Sequence, residues 1–253
     1  MSAVLLIDVG NTRVKWARWA EGALAPQQAA EHATWGADDW HRHLFGAGRV
    51  ERVVAASVAG ARTRAALESA AARSGVPAPR FVVSTAEACG VRNAYREPRL
   101  LGVDRWAAVI GAHALVGARA CCVVDLGTAA TIDAVLADGT HLGGYIVPGP
   151  QLMTGSLLRG TSDLAAHAAA SGEGAPALFA DNTRDAIERG CRVTLAAAIE
   201  RAQADLGARA GAKPALVVTG GAAGEVLPYL RGGVEHVPDL VLRGLLRLAW
   251  TGS

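Results

Sequence analysis

One short pattern is written twice in this chain. Val4-Leu5-Leu6-Ile7-Asp8-Val9-Gly10 is an apolar run closed by Asp-x-Gly, and Cys121-Cys122-Val123-Val124-Asp125-Leu126-Gly127 is another. An apolar run of this length, rich in β-branched residues and bounded by turn signals, suits a buried strand. Each run continues through a threonine, Thr12 or Thr128, into a second strand-like stretch, Arg13 to Trp19 or Thr131 to Leu136. The Gly10-Asn11 turn makes Arg13 to Trp19 a hairpin partner of the first run. A unit repeated in this way predicts two related halves, each headed by one copy.

The remaining pattern fits that plan. Val53 to Val58 and Phe81 to Ser84 are short strand candidates on either side of an Ala-rich helical stretch, Arg62 to Arg73. Strand, helix, strand order is the signature of an α/β layout. Val103 to Val116 has helical spacing, with Trp106, Ile110 and Leu115 among its apolar positions. His141 to Val147 is a third strand before Pro148-Gly149-Pro150, so Cys121 to Val147 is expected as a β-meander. Thr183 to Leu206 predicts a long helix, Ala215 to Val218 a strand, and Leu240 to Trp250 a terminal helix with an apolar stripe. The Ala-, Gly- and Ser-rich residues 168 to 176 predict a loop. At 253 residues the chain suits two modest domains. The expected division is 1–117 and 118–253.

Composition narrows the function classes. Hydrophobic residues make up 51% and charged residues 19%, which supports a sizeable core. The net charge is only +2 with acids and bases interspersed, so no nucleic-acid partner is expected. No apolar stretch reaches the span of a bilayer. The N-terminus has no basic segment and its apolar run stops at Asp8, unlike a signal peptide. A cytoplasmic protein, with no membrane partner, is the expectation. The four cysteines, Cys89, Cys121, Cys122 and Cys191, show no C-x-x-C spacing. They are read as reduced, small apolar side chains rather than a zinc site. His41 and His43 are two apart and are read as exposed surface rather than as a chelate.

Three motifs carry chemistry. In Asp8-Val9-Gly10-Asn11-Thr12-Arg13-Val14-Lys15, a carboxylate at a strand end is placed to hold a hydrated Mg²⁺. Gly10 lets the backbone approach phosphate oxygens and offer N–H donors, and Lys15 can bring positive charge to them. An ordinary hairpin turn is the alternative for this motif taken alone. Asp125-Leu126-Gly127-Thr128-Ala129-Ala130-Thr131-Ile132-Asp133 repeats the design. Two such loops facing each other across a cleft would clamp a nucleotide's phosphates from both sides. Thr219-Gly220-Gly221-Ala222, after a strand, gives close access to an adenine or ribose, or is a plain strand-to-helix turn. Neither G-x-x-x-x-G-K-[ST] nor G-x-G-x-x-G occurs, so the P-loop and Rossmann readings lack their signatures.

The paired Asp-x-Gly loops and the Gly-Gly turn are similar to those of the acetate and sugar kinase/Hsp70/actin superfamily. Within it, Asp8-x-Gly-Asn-Thr, Gly102-Val103-Asp104-Arg105-Trp106 and Asp125-x-Gly-Thr128-Ala-x-Thr131-x-Asp133 resemble the hallmark motifs of type III pantothenate kinases. Gly143-Gly144-Tyr145-Ile-x-Pro148-Gly149 and Asn182-Thr183 resemble further elements of that family. The resemblance implies two tandem actin-like (ribonuclease H-like) α/β domains with an ATP cleft between them. It implies ATP-dependent phosphorylation of pantothenate to 4′-phosphopantothenate, the first step of coenzyme A biosynthesis. It also implies a homodimer that uses Mg²⁺ and a monovalent cation, K⁺ or NH₄⁺.

Site roles follow from the same resemblance. Asp104 is the catalytic base toward the pantothenate hydroxyl; on spacing alone a helix N-cap is the better reading, and the resemblance reverses it. Arg105 binds substrate or offsets charge on the transferring phosphoryl group. Tyr95, Gly102, Val103 and Thr183 join Asp104 and Arg105 in binding pantothenate, although Thr183 taken alone is a helix cap. ATP falls to Asp8 through Lys15 and to Thr128. Asp125 holds the monovalent cation, and Asp8 holds Mg²⁺ through water. Two other readings stay open: a kinase for another small hydroxy acid, and an ATP-dependent accessory factor acting in transcription.

Overall fold

The computed structural model describes residues 3–46, 48–170 and 179–251. The chain begins with β1 (Val4–Val9), β2 (Arg13–Ala20), β3 (Ala23–Leu24) and β4 (Gln28–Glu31). Helix α1 (Ala37–Trp40) runs into a π-helical turn at His41–Phe45, followed by β5 (Arg52–Ser57), α2 (Ala61–Arg73) and β6 (Arg80–Phe81). A small hairpin, β7 (Glu87–Ala88) and β8 (Val91–Arg92), precedes α3 (Val103–Val116). Next come β9 (Cys121–Leu126), β10 (Ala129–Val135), β11 (His141–Pro148), α4 (Pro150–Gly160) and α5 (Ser162–Ala170). The chain finishes with α6 (Thr183–Ala210), β12 (Ala215–Thr219), α7 (Ala223–Val226), β13 (Glu235–His236) and α8 (Leu240–Ala249).

Two compact units are present. One comprises Met1–Ala118, Asp138–Gly143 and Asp239–Ser253; the other comprises Arg119–Ala137 and Gly144–Pro238. Each has its own sheet, and the two sheets share one wiring. In the first, the order is β3-β2-β1-β5-β6, with β4 also on β2. In the second it is β11-β10-β9-β12-β13. β1 pairs antiparallel with β2 and parallel with β5, and β5 pairs parallel with β6. β9 pairs antiparallel with β10 and parallel with β12, and β12 pairs parallel with β13. The pattern repeated in sequence therefore heads a repeated sheet, with the Asp-x-Gly at the C-terminal end of each central strand.

Every residue of β1 is buried, as expected of a central strand covered on both faces. Leu5, Ile7 and Val9 pack with Val53, Ala55, Leu67 and the ring of Trp40 in the core of the first unit. Helices α3 and α8 pack against each other in the same unit. The last carbonyls of α8 lack helical partners. Guanidinium groups supply them: Arg52 donates to Ala249 O at 2.8 Å and Arg80 to Leu248 O at 2.6 Å.

Several expectations need correction. The strand expected over Phe81 to Ser84 stops at Phe81, because only Val82 N–H continues along β5, to Ala55 O. Ser84 turns inward and donates to Leu101 O at 2.8 Å. Leu115 is 41% exposed, so α3 buries Trp106 and Ile110 without it. Helix α6 runs past Leu206 to Ala210 and stops at left-handed Gly211. The loop expected over 168–176 begins as helix through Ala170, and 171–176 lie outside the described residues.

Candidate active site

The first acidic-glycine turn is built on the β1–β2 hairpin. Asp8 is the penultimate residue of β1 and only 8% exposed, a buried carboxylate at a strand end. Its register partner on β2 is Lys15. Side chains directly opposite on an antiparallel pair share one face. Gly10 N–H donates to Arg13 O at 3.0 Å and closes the turn, leaving Asn11, Thr12 and Arg13 exposed. Val9 and Val14 are buried beneath it.

The second turn is more tightly enclosed. Asp125 is half-buried and pairs in register with Thr131 on β10 and Thr219 on β12. Thr128 is exposed at the tip, and its carbonyl accepts from Gly149 N–H at 2.9 Å. The Leu126 carbonyl accepts from Ala222 N–H, also at 2.9 Å. Two glycines make this approach possible. A Cβ on Gly149 would run into the carbonyls of Gly127 and Thr128. Gly220 has φ +100°, and a Cβ there would collide with Leu126 and with the Asp125 carboxylate at 2.5 Å. The Pro-Gly and Gly-Gly elements are thus the walls of the Asp125 turn.

The third group sits on α3. Its N-cap is Gly102, so Asp104 is not the cap but the second helical residue, with Oδ1 accepting from Arg105 N–H at 2.7 Å. Arg105 is 5% exposed, and its guanidinium donates to the Tyr95 hydroxyl at 2.9 Å. The Tyr95 loop is fixed by Asn93, whose Oδ1 accepts from Tyr95 N–H and whose Nδ2 donates to the carbonyls of Thr85 and Pro98. Thr183 has a different setting. The cap of α6 is Asn182, whose Oδ1 accepts from Asp185 N–H at 3.0 Å, so Thr183 is the first helical residue. Thr183 lines an apolar cavity of about 480 Å³ with Met153, Leu157, Leu164, Ile187 and Cys191.

Comparison with known proteins decides what this arrangement belongs to. The family model for type III pantothenate kinase matches residues 4–205. Type III pantothenate kinases of Aromatoleum aromaticum and Alkalilimnicola ehrlichii are 43% and 40% identical, with 97% of each chain covered. That of Nitrosococcus oceani is 37% identical over 97% of this chain and 93% of its own. The chain belongs to the type III pantothenate kinase family.

Solved structures add the fold. A Baf family protein of Campylobacter jejuni superimposes with TM-score 0.55 at 18% identity, covering 96% of both chains. Component A of (R)-2-hydroxyglutaryl-CoA dehydratase from Acidaminococcus fermentans gives 0.54 at 15% identity, covering 97% of this chain and 95% of its own. At such identities the likeness establishes architecture alone, and that architecture is the actin-like α/β fold with two sheets. The family match spans every residue singled out from Asp8 to Thr183.

Among the described residues no group of three or more His, Cys, Asp and Glu could hold a metal ion by itself. Mg²⁺ carried by ATP asks for less, since one or two carboxylates, water and phosphates suffice. A buried Asp8 beside a glycine turn fits that demand. Among the described residues no helix is long and apolar enough to cross a membrane. Motif reading passed over two contributors. Asn93 sits two residues before Tyr95, the spacing of an Asx turn, which was the available signal. His32 belongs to none of the sequence motifs, yet it is buried and its Nε2 lies 2.8 Å from the Gly10 carbonyl oxygen. His41 is not plain surface either, since Nδ1 lies 2.6 Å from Ser74 Oγ.

Proposed function

We propose that this chain transfers the γ-phosphoryl group of ATP to the primary hydroxyl of pantothenate, giving 4′-phosphopantothenate and ADP. What supports the reading most is the family match over residues 4–205, in a sequence that carries Asp104 and Arg105 as well as both acidic-glycine motifs. A module that only bound nucleotide would have no need of that carboxylate.

The chemistry asks mainly for positioning and charge neutralisation, because phosphoryl transfer has a loose transition state. The Asp104 carboxylate orients the hydroxyl and accepts its proton. The hydroxyl oxygen bonds to the γ-phosphorus as the bond to the β–γ bridging oxygen breaks, and ADP leaves. Arg105 carries a fixed charge toward the transferring group, held in place by Tyr95. Pantothenate is bound by Tyr95, Gly102 through Arg105, and Thr183. ATP phosphates meet the Asp8–Lys15 turn and Thr128. Asp8 holds Mg²⁺ through water, and the ion supplies neutralising charge to the phosphates. Asp125, among threonine and backbone oxygens, holds the monovalent cation. The working form is a homodimer in the cytoplasm.

A coupled ADP-release assay with and without pantothenate tests the reading, with a panel of small hydroxy acids alongside. ADP release that depends on pantothenate and on no other acid supports it. Release stimulated equally by other acids, or by none, overturns it.

A further inference from the structure

Immediately after β4 the chain turns an imidazole under the first acidic-glycine turn. His32 is 9% exposed, and its Nε2 lies 2.8 Å from the Gly10 carbonyl oxygen. A carbonyl only accepts, so Nε2 carries the proton and donates. The His32 main-chain N–H reaches the Thr12 carbonyl at 3.4 Å. One residue therefore holds the turn on both sides of Asn11. The ring itself has little freedom, because it leans on Trp40 with centroids 5.5 Å apart, and Trp40 is buried in the core of the same unit.

The consequence follows from peptide planarity. In a trans peptide the C=O and the following N–H point in opposite directions. Tying the Gly10 carbonyl to His32 turns the Asn11 N–H away from His32. Asn11 is exposed. Without that tie, the Gly10–Asn11 plane is free to rotate, since glycine tolerates a wide range of backbone angles. We infer that His32 is a positioning residue for ATP: its Nε2–H fixes the Gly10–Asn11 peptide so that the Asn11 N–H is offered to a phosphate oxygen. The inference rests on reading the Asp8–Lys15 turn as the ATP phosphate site.

The test compares His32→Phe, which keeps a ring against Trp40 but has no donor, with His32→Gln, which restores an N–H. ATP affinity is measured by calorimetry with Mg-ATP alone, and KM for ATP and for pantothenate in the coupled assay. One lost hydrogen bond predicts that His32→Phe weakens ATP binding and raises its KM about five- to ten-fold. The KM for pantothenate stays within about twofold, and His32→Gln recovers most of the loss. A purely structural role would lower thermal stability and disturb both substrates alike, and that result overturns the inference. So does a Gln variant no better than Phe. Lys15→Met separates the two levels. If it weakens ATP binding while His32→Phe does not, the positioning role falls and the ATP turn stands; if neither matters, both fall.

Discussion

Lys15 stands directly opposite Asp8 across the β1–β2 pair, so a buried carboxylate and a half-buried ammonium share one face at the mouth of the first turn. The second turn repeats the backbone but not the charge, for the residue opposite Asp125 is Thr131. The two turns are thus chemically unequal. The first sets a cation opposite its carboxylate, as the proposed phosphate role requires, while the second sets a neutral hydroxyl there, as the proposed monovalent-cation role requires. Lys15→Met keeps the length of the side chain and removes the charge. A charge-assisted hydrogen bond contributes about 1.5–3 kcal/mol, so kcat/KM for ATP falls roughly ten- to hundred-fold. Steady-state kinetics with ATP varied at saturating pantothenate checks this, and a change confined to pantothenate would remove Lys15 from the phosphate site.

Asp104 gives a different signature. It is the second residue of α3, with Gly102 in the cap position and Arg105 held beside it, which leaves its carboxylate available to act as the proposed base. Asp104→Asn preserves size and hydrogen bonding but cannot take a proton. Turnover is expected to fall roughly 10²- to 10⁴-fold, the usual worth of a positioned general base. ATP binding by calorimetry stays near that of the parent. Unchanged turnover would take Asp104 out of the mechanism.

Much of this was legible in the sequence, for an identifiable reason. Strands β1 and β9 announce themselves because each is an apolar run broken only by its aspartate and followed at once by a glycine. Gly220, with φ +100° and the Asp125 carboxylate against it, is visible as a motif because no other residue fits. What stayed hidden depends on long-range pairing. The contact from His32 to Gly10 joins residues on either side of three strands, and no local pattern marks a histidine that will donate to a turn. The short β6 likewise owes its length to where β5 ends and to Ser84 turning inward, neither of which the sequence near Phe81 records. The helix-cap alternatives at Asp104 and Thr183 fall because the neighbours Gly102 and Asn182 take the cap positions.

The Asp125 turn yields a prediction that activity alone would miss. If its carboxylate holds K⁺ or NH₄⁺, Asp125→Ala abolishes the rise in turnover that these ions produce. Titrating KCl against NaCl at constant ionic strength reads this directly. A variant that is slower but still responds to potassium with the same midpoint would show that the cation sits elsewhere.

The strand beneath that turn should make the protein sensitive to alkali. Cys121 and Cys122 are buried in β9, and burial is the main reason both thiols are pushed up to about 12 from an ordinary 9.0. Arg119 opposes the shift at Cys121, while Glu235 adds to it. Cys121 and Asp133 add to the shift at Cys122. In the unfolded chain these thiols lose their protons first, so between pH 9 and 12 the folded state binds more protons than the unfolded state. Stability is then fully present below pH 9 and declines as pH rises toward 12, by about 1.4 kcal/mol per pH unit for each thiol. Cys122→Ala removes one such group. Its melting temperature, whatever the starting value, should fall less steeply than the parent's between pH 9 and 10.5. Parallel curves would mean that the Cys122 thiol does not contribute to the alkaline limb.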